Sequence, residues 1–224
     1  MQIVIYGNGS MARVLYSYAR RSMDVRGFTV DDVCIQPGDD TLCGLPLIPF
    51  SRVLEAFNPS EYTMIIAIGF IEMNELRERK YNEAKAMGYS FTNYIHPSFI
   101  LHDDVRIGEN CIIYENVAVH PGSSIGNSVF ITANASIGHD CRIEHSNWIN
   151  SGVSIAGGVH VRPGCFFGVN ACVAHGVTIG ARNFIGANTL IGKNTGDDEV
   201  YLSETGQLFR MKSKAFLKFS RMLD

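Results

Sequence analysis

His139 and Asp140 are adjacent in the stretch SIGHDCRIEHSNW (residues 136–148). An imidazole accepts a proton near neutral pH, and a carboxylate beside it can take the Nδ1 hydrogen, fix the tautomer and stabilise the imidazolium. The pair therefore has the makings of a general base. The same two side chains would also suit part of a metal site or a solvated turn, so their meaning depends on what positions them.

A repeat of six positions them. From Leu101 to Ile191, sixteen positions taken six apart are all aliphatic except Phe167. Four residues after each comes a mostly small residue, such as Cys111, Ser123, Ala135 or Cys141. Gly often follows the aliphatic, as at Gly108, Gly126, Gly138, Gly180 and Gly186. Period six is neither helical nor simple strand alternation. It suits short strands joined by turns, each strand sending one large and one small side chain inward, three strands to a coil. Residues 101–191 then supply about five coils. Inward Cys111, Cys141 and Cys165 are expected as small fillers.

Eighteen residues per coil put His139, Gly157 and His175 in one column, with His139 and His175 two coils and about 10 Å apart. His102 and His120 share another column, and His145 and His160 fall on others. Gly157 has no side chain to obstruct a ligand, and its N–H is expected to steady a developing oxyanion.

The first half has different grammar. Gln2–Tyr6 reads as a strand, Gly7-Asn8-Gly9 as a turn, and Met11–Arg21 as a helix with Ser10 as N-cap. Gly7, Gly9 and Ala12 fit G-x-G-x-x-G/A, and Val25–Val30 is expected as a second strand ending in Asp31-Asp32. Residues 63–68 read as a buried strand, 74–87 as a helix and 90–95 as a last strand. A helix N-terminus after Gly9 can hold phosphate. With no second mononucleotide unit, the size favours one nucleotide diphosphate over a dinucleotide.

The net charge of −3 advertises no field for nucleic acid or an anionic membrane. No stretch is long and apolar enough to be a transmembrane helix, and the start shows no signal-peptide pattern. The six cysteines form no CxxC pair, so reduced thiols in a cytoplasmic protein are expected.

The six-residue pattern resembles the left-handed parallel β-helix of the hexapeptide acyltransferases. A small α/β domain joined to an unbroken β-helix is similar to the bacterial sugar O- and N-acyltransferases, which include sialic acid O-acetyltransferases and acetyltransferases of amino-sugar nucleotides. The residues carrying the resemblance are the Gly-x-Gly turn, Gly27-Phe28…Asp31-Asp32, Tyr94-Ile95-His96-Pro97 and Gly138-His139-Asp140-Cys141. The resemblance implies three regions: a Rossmann-like half-domain over 1–95, the β-helix over 96–195, and a tail over 196–224.

It also implies an acyl-CoA co-substrate such as acetyl-CoA, a nucleotide-sugar acceptor and a homotrimer with sites between subunits, with no metal, nucleic acid or stable membrane insertion. His139 and Asp140 match the catalytic pair. Ala156 and Gly157 match a position near the acetyl group, and His175 and Gly176 lie along the expected path of the pantetheine arm. Gly7, Gly9, Ser10, Asp31 and Asp32 stand at the nucleotide. N-acylation of a nucleotide-linked amino sugar is the expected reaction. O-acetylation of sialic acid or another sugar, and a non-catalytic sugar-nucleotide-binding β-helix, stay open. A γ-type carbonic anhydrase would need three His ligands, and no convincing set of three forms around His175 and Gly180.

Two departures stand out. Members commonly carry a second His nine residues after the first; Trp148 stands there, expected to offer a stacking surface or reshape the acyl pocket. The family's short tail is replaced by VYLSETGQLFRMKSKAFLKFSRMLD, with Phe216, Leu217, Phe219, Met222 and Leu223 among Arg210, Lys212, Lys214, Lys218 and Arg221. Such a helix is expected to cap the open β-helix end, the other openings being a membrane surface or the CoA 3′-phosphate.

Overall fold

The computed structural model describes residues 2–102 and 104–220. Arg221, Met222 and Leu223 of the tail lie outside the described residues.

The apolar run Gln2–Tyr6 forms β1, buried between β2 (Val25–Val30) and β5 (Tyr62–Ile66), with which it pairs in parallel. The sheet order is β3-β4-β2-β1-β5-β6, where β3 is Thr41–Leu42, β4 Leu45–Pro49 and β6 Ser90–Phe91. Helix α1 (Ser10–Ala19) buries Ala12, Leu15 and Ala19, and α3 (Glu75–Ala86) follows β5, with a single-turn α2 (Val53–Ala56) between. Gly27 leaves room for the Phe57 ring; a Cβ there would stand 2.3 Å from Phe57 Cζ.

The expected strand over 90–95 divides in two. Ser90–Phe91 closes the first sheet beside β5, whereas Tyr94–Ile95 is already the first rung of the β-helix, paired with Ile112–Ile113. Asn93 makes the change of partner: its side chain donates to Gly108 O at 2.7 Å and accepts from Cys111 N at 2.8 Å.

From there the chain winds as a left-handed parallel β-helix with three flat faces of seven, six and five rungs, about one coil more than residues 101–191 alone supply. Rungs pair in register eighteen residues apart, as in Ser136↔Ser154 and Ile137↔Ile155. The inward column is dry: Ile113, Val119, Ile131, Ile137, Ile149, Val161 and Phe167 are all fully buried. At the corners one residue takes the left-handed backbone region, which Asn, Asp and Gly tolerate best. Two such columns are Asn116, Asn134, Gly152, Asn170, Asn188 and Gly122, Asp140, Gly158, Gly176.

The inward thiols do more than fill space. Cys111, Cys141 and Cys165 donate to Gly126 O, Ala156 O and Gly180 O at 3.1, 3.1 and 3.0 Å, each a carbonyl fifteen residues on.

One outward face carries the first domain. Tyr94, Ile112, Phe130, Trp148 and Phe166 point out from successive rungs into the same core as β1, β5 and α3. Polar side chains fix the docking. Asn110 Oδ1 accepts from Ile66 N at 2.8 Å, Asn74 donates to Gly164 O and Cys165 O, and Arg77 donates to Ser146 O at 3.0 Å. Arg77 is 3% exposed and lies over Trp148, 5.3 Å from the ring centroid. Burial lowers its pKa to about 10, so it stays charged at neutral pH.

The far end is not capped by the tail helix. Val200–Tyr201 adds a last rung on Phe184–Ile185, sixteen residues away rather than eighteen. Asp197 accepts from Ala181 N and pairs with Arg162, Asp198 pairs with Arg182, and Ser203 donates to Ala187 O. These contacts satisfy polar groups at the end of the stack without α4 (Ser213–Ser220), whose residues 213–219 are all exposed. Among the described residues no helix is long and apolar enough to cross a membrane.

Candidate active site

Ser136–Ile137 and Arg142–Ile143 are rungs of two different faces, and Gly138–Cys141 is the corner between them. The left-handed conformation of Asp140 (φ 56°) folds its carboxylate back onto the preceding residue. Asp140 Oδ2 lies 2.8 Å from His139 Nδ1, with both side chains more than half exposed. When Nδ1 carries the hydrogen of this bond, Nε2 keeps its lone pair.

Both ends of the corner are anchored by Ser123, one coil earlier and 1% exposed. Its hydroxyl donates to Gly138 O at 2.8 Å and accepts from Cys141 N at 2.9 Å. Ser123 was visible in the repeat as a small inward residue, but its role depends on the hydroxyl, which a size pattern does not register.

One coil later the chain passes through Ala156 and Gly157. The His139 ring lies over Gly157, where a Cβ would stand 2.4 Å from Nε2. The Gly157 N–H makes no hydrogen bond among the described residues. His175 and Gly176 follow in the next coil, both exposed. The His139 and His175 ring centroids are 6.2 Å apart, closer than the roughly 10 Å that two coil spacings give. The glycine between them leaves a gap into which the rings lean. Among the described residues no group of three His, Cys, Asp or Glu side chains could hold a metal ion.

The second cluster is in the first domain. A cavity of about 280 Å³ opens at the start of α1, lined by Gly7, Gly9, Ser10, Asp31, Cys34 and Gly69 among others. Ser10 is the first helical residue, not the N-cap; Gly9 is the cap, with no side-chain capping bond. The first-turn N–H groups therefore have no side-chain acceptor. Gly7 has φ +132° and a Cβ would strike Ala67 O at 2.7 Å, so only glycine fits, whereas the space around Gly9 is open.

Asp31 pairs with Lys80 Nζ at 2.8 Å and bonds the Tyr6 hydroxyl. Burial and the Asp31 carboxylate push the Tyr6 hydroxyl far above its ordinary pKa. Asp32 departs from expectation by facing the next groove. It accepts from Ser51 Oγ at 2.6 Å and Ser51 N at 3.2 Å, which hold its carboxyl below the usual range. Lys80, which carries no motif, was not foreseen.

Trp148 also departs from expectation. It is 5% exposed, stacked on Phe130 at 4.0 Å, with Phe70 at its edge and Nε1 donating to Asn150 Oδ1. Within one chain it belongs to the layer joining the domains and does not stand at the His139 corner. That corner lies opposite the face on which the first domain sits, so the two clusters do not meet in a single chain.

Neither a protein-family model nor any curated protein sequence matches the chain. Solved structures do. A histidine-to-asparagine mutant of perosamine N-acetyltransferase from Caulobacter crescentus, in complex with CoA and GDP-perosamine, is 29% identical. It covers 89% of this chain and 92% of its own, with a TM-score of 0.79. The acetyltransferase domain of PglB from Neisseria gonorrhoeae FA1090 is 22% identical over 89% of this chain and 95% of its own, with a TM-score of 0.78. WeeI from Acinetobacter baumannii AYE is 16% identical over 89% and 96%, with a TM-score of 0.76. The last two speak for the fold alone. Through the perosamine N-acetyltransferase, this chain is similar across both of its domains to the bacterial sugar acyltransferases of the hexapeptide-repeat family.

Proposed function

We propose that the chain transfers an acetyl group from acetyl-CoA to the amino group of a nucleotide-linked sugar. The observation that carries this is the His139–Asp140 pair, joined at 2.8 Å on a corner whose next coil is Gly157. The likeness to an enzyme solved with CoA and GDP-perosamine adds the substrate class.

The amine nitrogen attacks the thioester carbonyl, forming the C–N bond, while His139 Nε2 takes the proton it loses. Asp140 holds the imidazole and balances the imidazolium. The carbonyl oxygen becomes an oxyanion beside the unpaired Gly157 N–H. Collapse breaks the C–S bond, and the departing thiolate recovers the proton from His139. The open glycine corner at Gly157 and Gly176 suits a narrow pantetheine arm, with His175 beside it. Gly7, Gly9, Ser10 and the α1 N-terminus receive the diphosphate, with Asp31 at the cavity wall.

The separation of the two clusters supports a homotrimer in which the acceptor lies between one subunit's cavity and another's His139. An acetyl-CoA donor and free thiols suit a cytoplasmic location.

Thiol release from acetyl-CoA is measured across UDP-, dTDP- and GDP-linked amino sugars. His139→Ala should lower turnover by roughly two to four powers of ten with the fold intact. No turnover on any amino sugar, or an unchanged rate in the variant, sinks the reading. For the assembly, His139→Ala chains are co-refolded with Gly9→Leu chains. Partial return of activity is expected if each site draws on two subunits.

A further inference from the structure

Residues 205–223 contain Arg210, Lys212, Lys214, Lys218 and Arg221 and no acidic residue. Removing these five from the net charge of −3 leaves −8 on the rest of the chain. In α4, Phe216 and Phe219 share one side, while Lys214 and Lys218, four apart, stand on the other. Phe209 packs edge-on against Phe216, with ring centroids 5.6 Å apart, and carries the apolar stripe back before the helix. Leu208, Phe209, Phe216, Leu217 and Phe219 are all exposed.

The tail's described cations find no partner on the body. Among the described residues Arg210, Lys212, Lys214 and Lys218 make no ion pair. Three acids at the adjoining coil end are already engaged: Asp197 by Arg162, Asp198 by Arg182, and Glu199 by the Tyr201 hydroxyl and Gly196 N. A dry contact with a second copy through the coil end would have to bury or bypass the cations, because Asp197, Asp198 and Glu199 there already have partners. An anionic lipid surface accommodates both faces at once, taking aromatic rings at the acyl–headgroup boundary and lysines at the phosphates.

We propose that α4 and the segment before it dock the protein reversibly on an anionic lipid surface. The phenyl rings of Phe209, Phe216 and Phe219 enter the interface, and the four described cations contact the headgroups. Where the chain is a trimer, as in the function proposed above, the coils of all copies point the same way. Three tails then leave from one end, and weak single contacts add as avidity.

The test is co-sedimentation of the full chain with vesicles of phosphatidylcholine alone or with about one-third phosphatidylglycerol. Binding to the anionic vesicles only, weakened by salt, is expected. Replacing Arg210, Lys212, Lys214 and Lys218 by Gln should weaken partitioning at least about a hundred-fold. Phe216→Ser with Phe219→Ser should weaken it at least about ten-fold. Because these side chains are exposed, the unfolding midpoint and acetyl transfer should not move in either variant. No sedimentation, equal binding to neutral vesicles, or variants that bind like the parent would overturn the proposal. So would tail variants that change only the oligomer mass by light scattering, which would make the tail a contact between copies.

Discussion

The His139 ring occupies the space that a side chain on Gly157 would fill, with Nε2 2.4 Å from the position of the missing Cβ. Gly157 is thus a spatial requirement of the base as well as a donor of an unpaired N–H. Its backbone is not in the left-handed region, so Gly157→Ala meets no conformational barrier and acts through the ring alone. We expect kcat to fall about a hundred-fold from the misplaced imidazole, with little change in the unfolding midpoint. In the His139→Ala background the same substitution should have much less effect, because residues acting as a unit are not additive. An equal loss in both backgrounds would show that Gly157 acts without His139.

Ser123 grips both ends of the corner that presents His139, so Ser123→Ala leaves Gly138 O and Cys141 N without this partner. The stability cost should be about 1–3 kcal/mol, and the loosened corner should lower kcat by about ten- to a hundred-fold. Ser123→Cys separates positioning from bulk. Cys141 occupies the same column one coil on and donates to Ala156 O at 3.1 Å, so a thiol can serve there. Recovery of kcat in Ser123→Cys, but not in Ser123→Ala, is the expected pattern; equal rates in the two would remove the positioning role.

Cys34 and Cys43 are both exposed, but only Cys34 lines the cavity at the start of α1. A nucleotide-linked sugar in that cavity should shield one thiol and spare the other. At ligand ten times its Kd, alkylation of Cys34 should slow by about ten-fold, with Cys43 unchanged, as read by mass spectrometry of peptides. Equal slowing of both, or of neither, would move the nucleotide elsewhere.

Much of this architecture is legible because a β-helix writes its core into a fixed period: the inward residues from Ile107 to Ile191 follow from counting sixes. Gly7 is legible for the same kind of reason, since close approach to Ala67 O admits no side chain. The outward faces carry a weaker signal. Tyr94, Phe130, Trp148, Phe166 and Phe184 stand eighteen apart, broken only by Ile112, each just before an inward residue. That column announces a buried outer face, and it makes Trp148 a packing residue of the domain junction. The Lys80–Asp31 pair left no trace in the sequence pattern. It joins α3 to the end of β2 across the sheet, and neither local spacing nor hydropathy encodes such a contact.

Burial in the coil interior pushes the thiols of Cys111 and Cys165 up to about 12, and that of Cys141 upward as well. An unfolded chain ionises the same thiols near pH 8.5. Above that pH the unfolded state has lost protons that the folded state still holds, so unfolding becomes easier as pH rises. The stabilisation is complete below about pH 8.5 and is lost progressively up to about 12, at about 1.5–2 kcal/mol per thiol by pH 10. Urea midpoints at pH 8 and pH 10 measure it, with Cys111→Ala/Cys165→Ala as the reference that subtracts other titrating groups. The double variant should start less stable at pH 8, from lost packing and two lost S–H bonds to carbonyls. It should then fall less between the two pH values than the parent. Parallel losses in both proteins would mean that these thiols reach water in the folded state and that the coil interior is not dry.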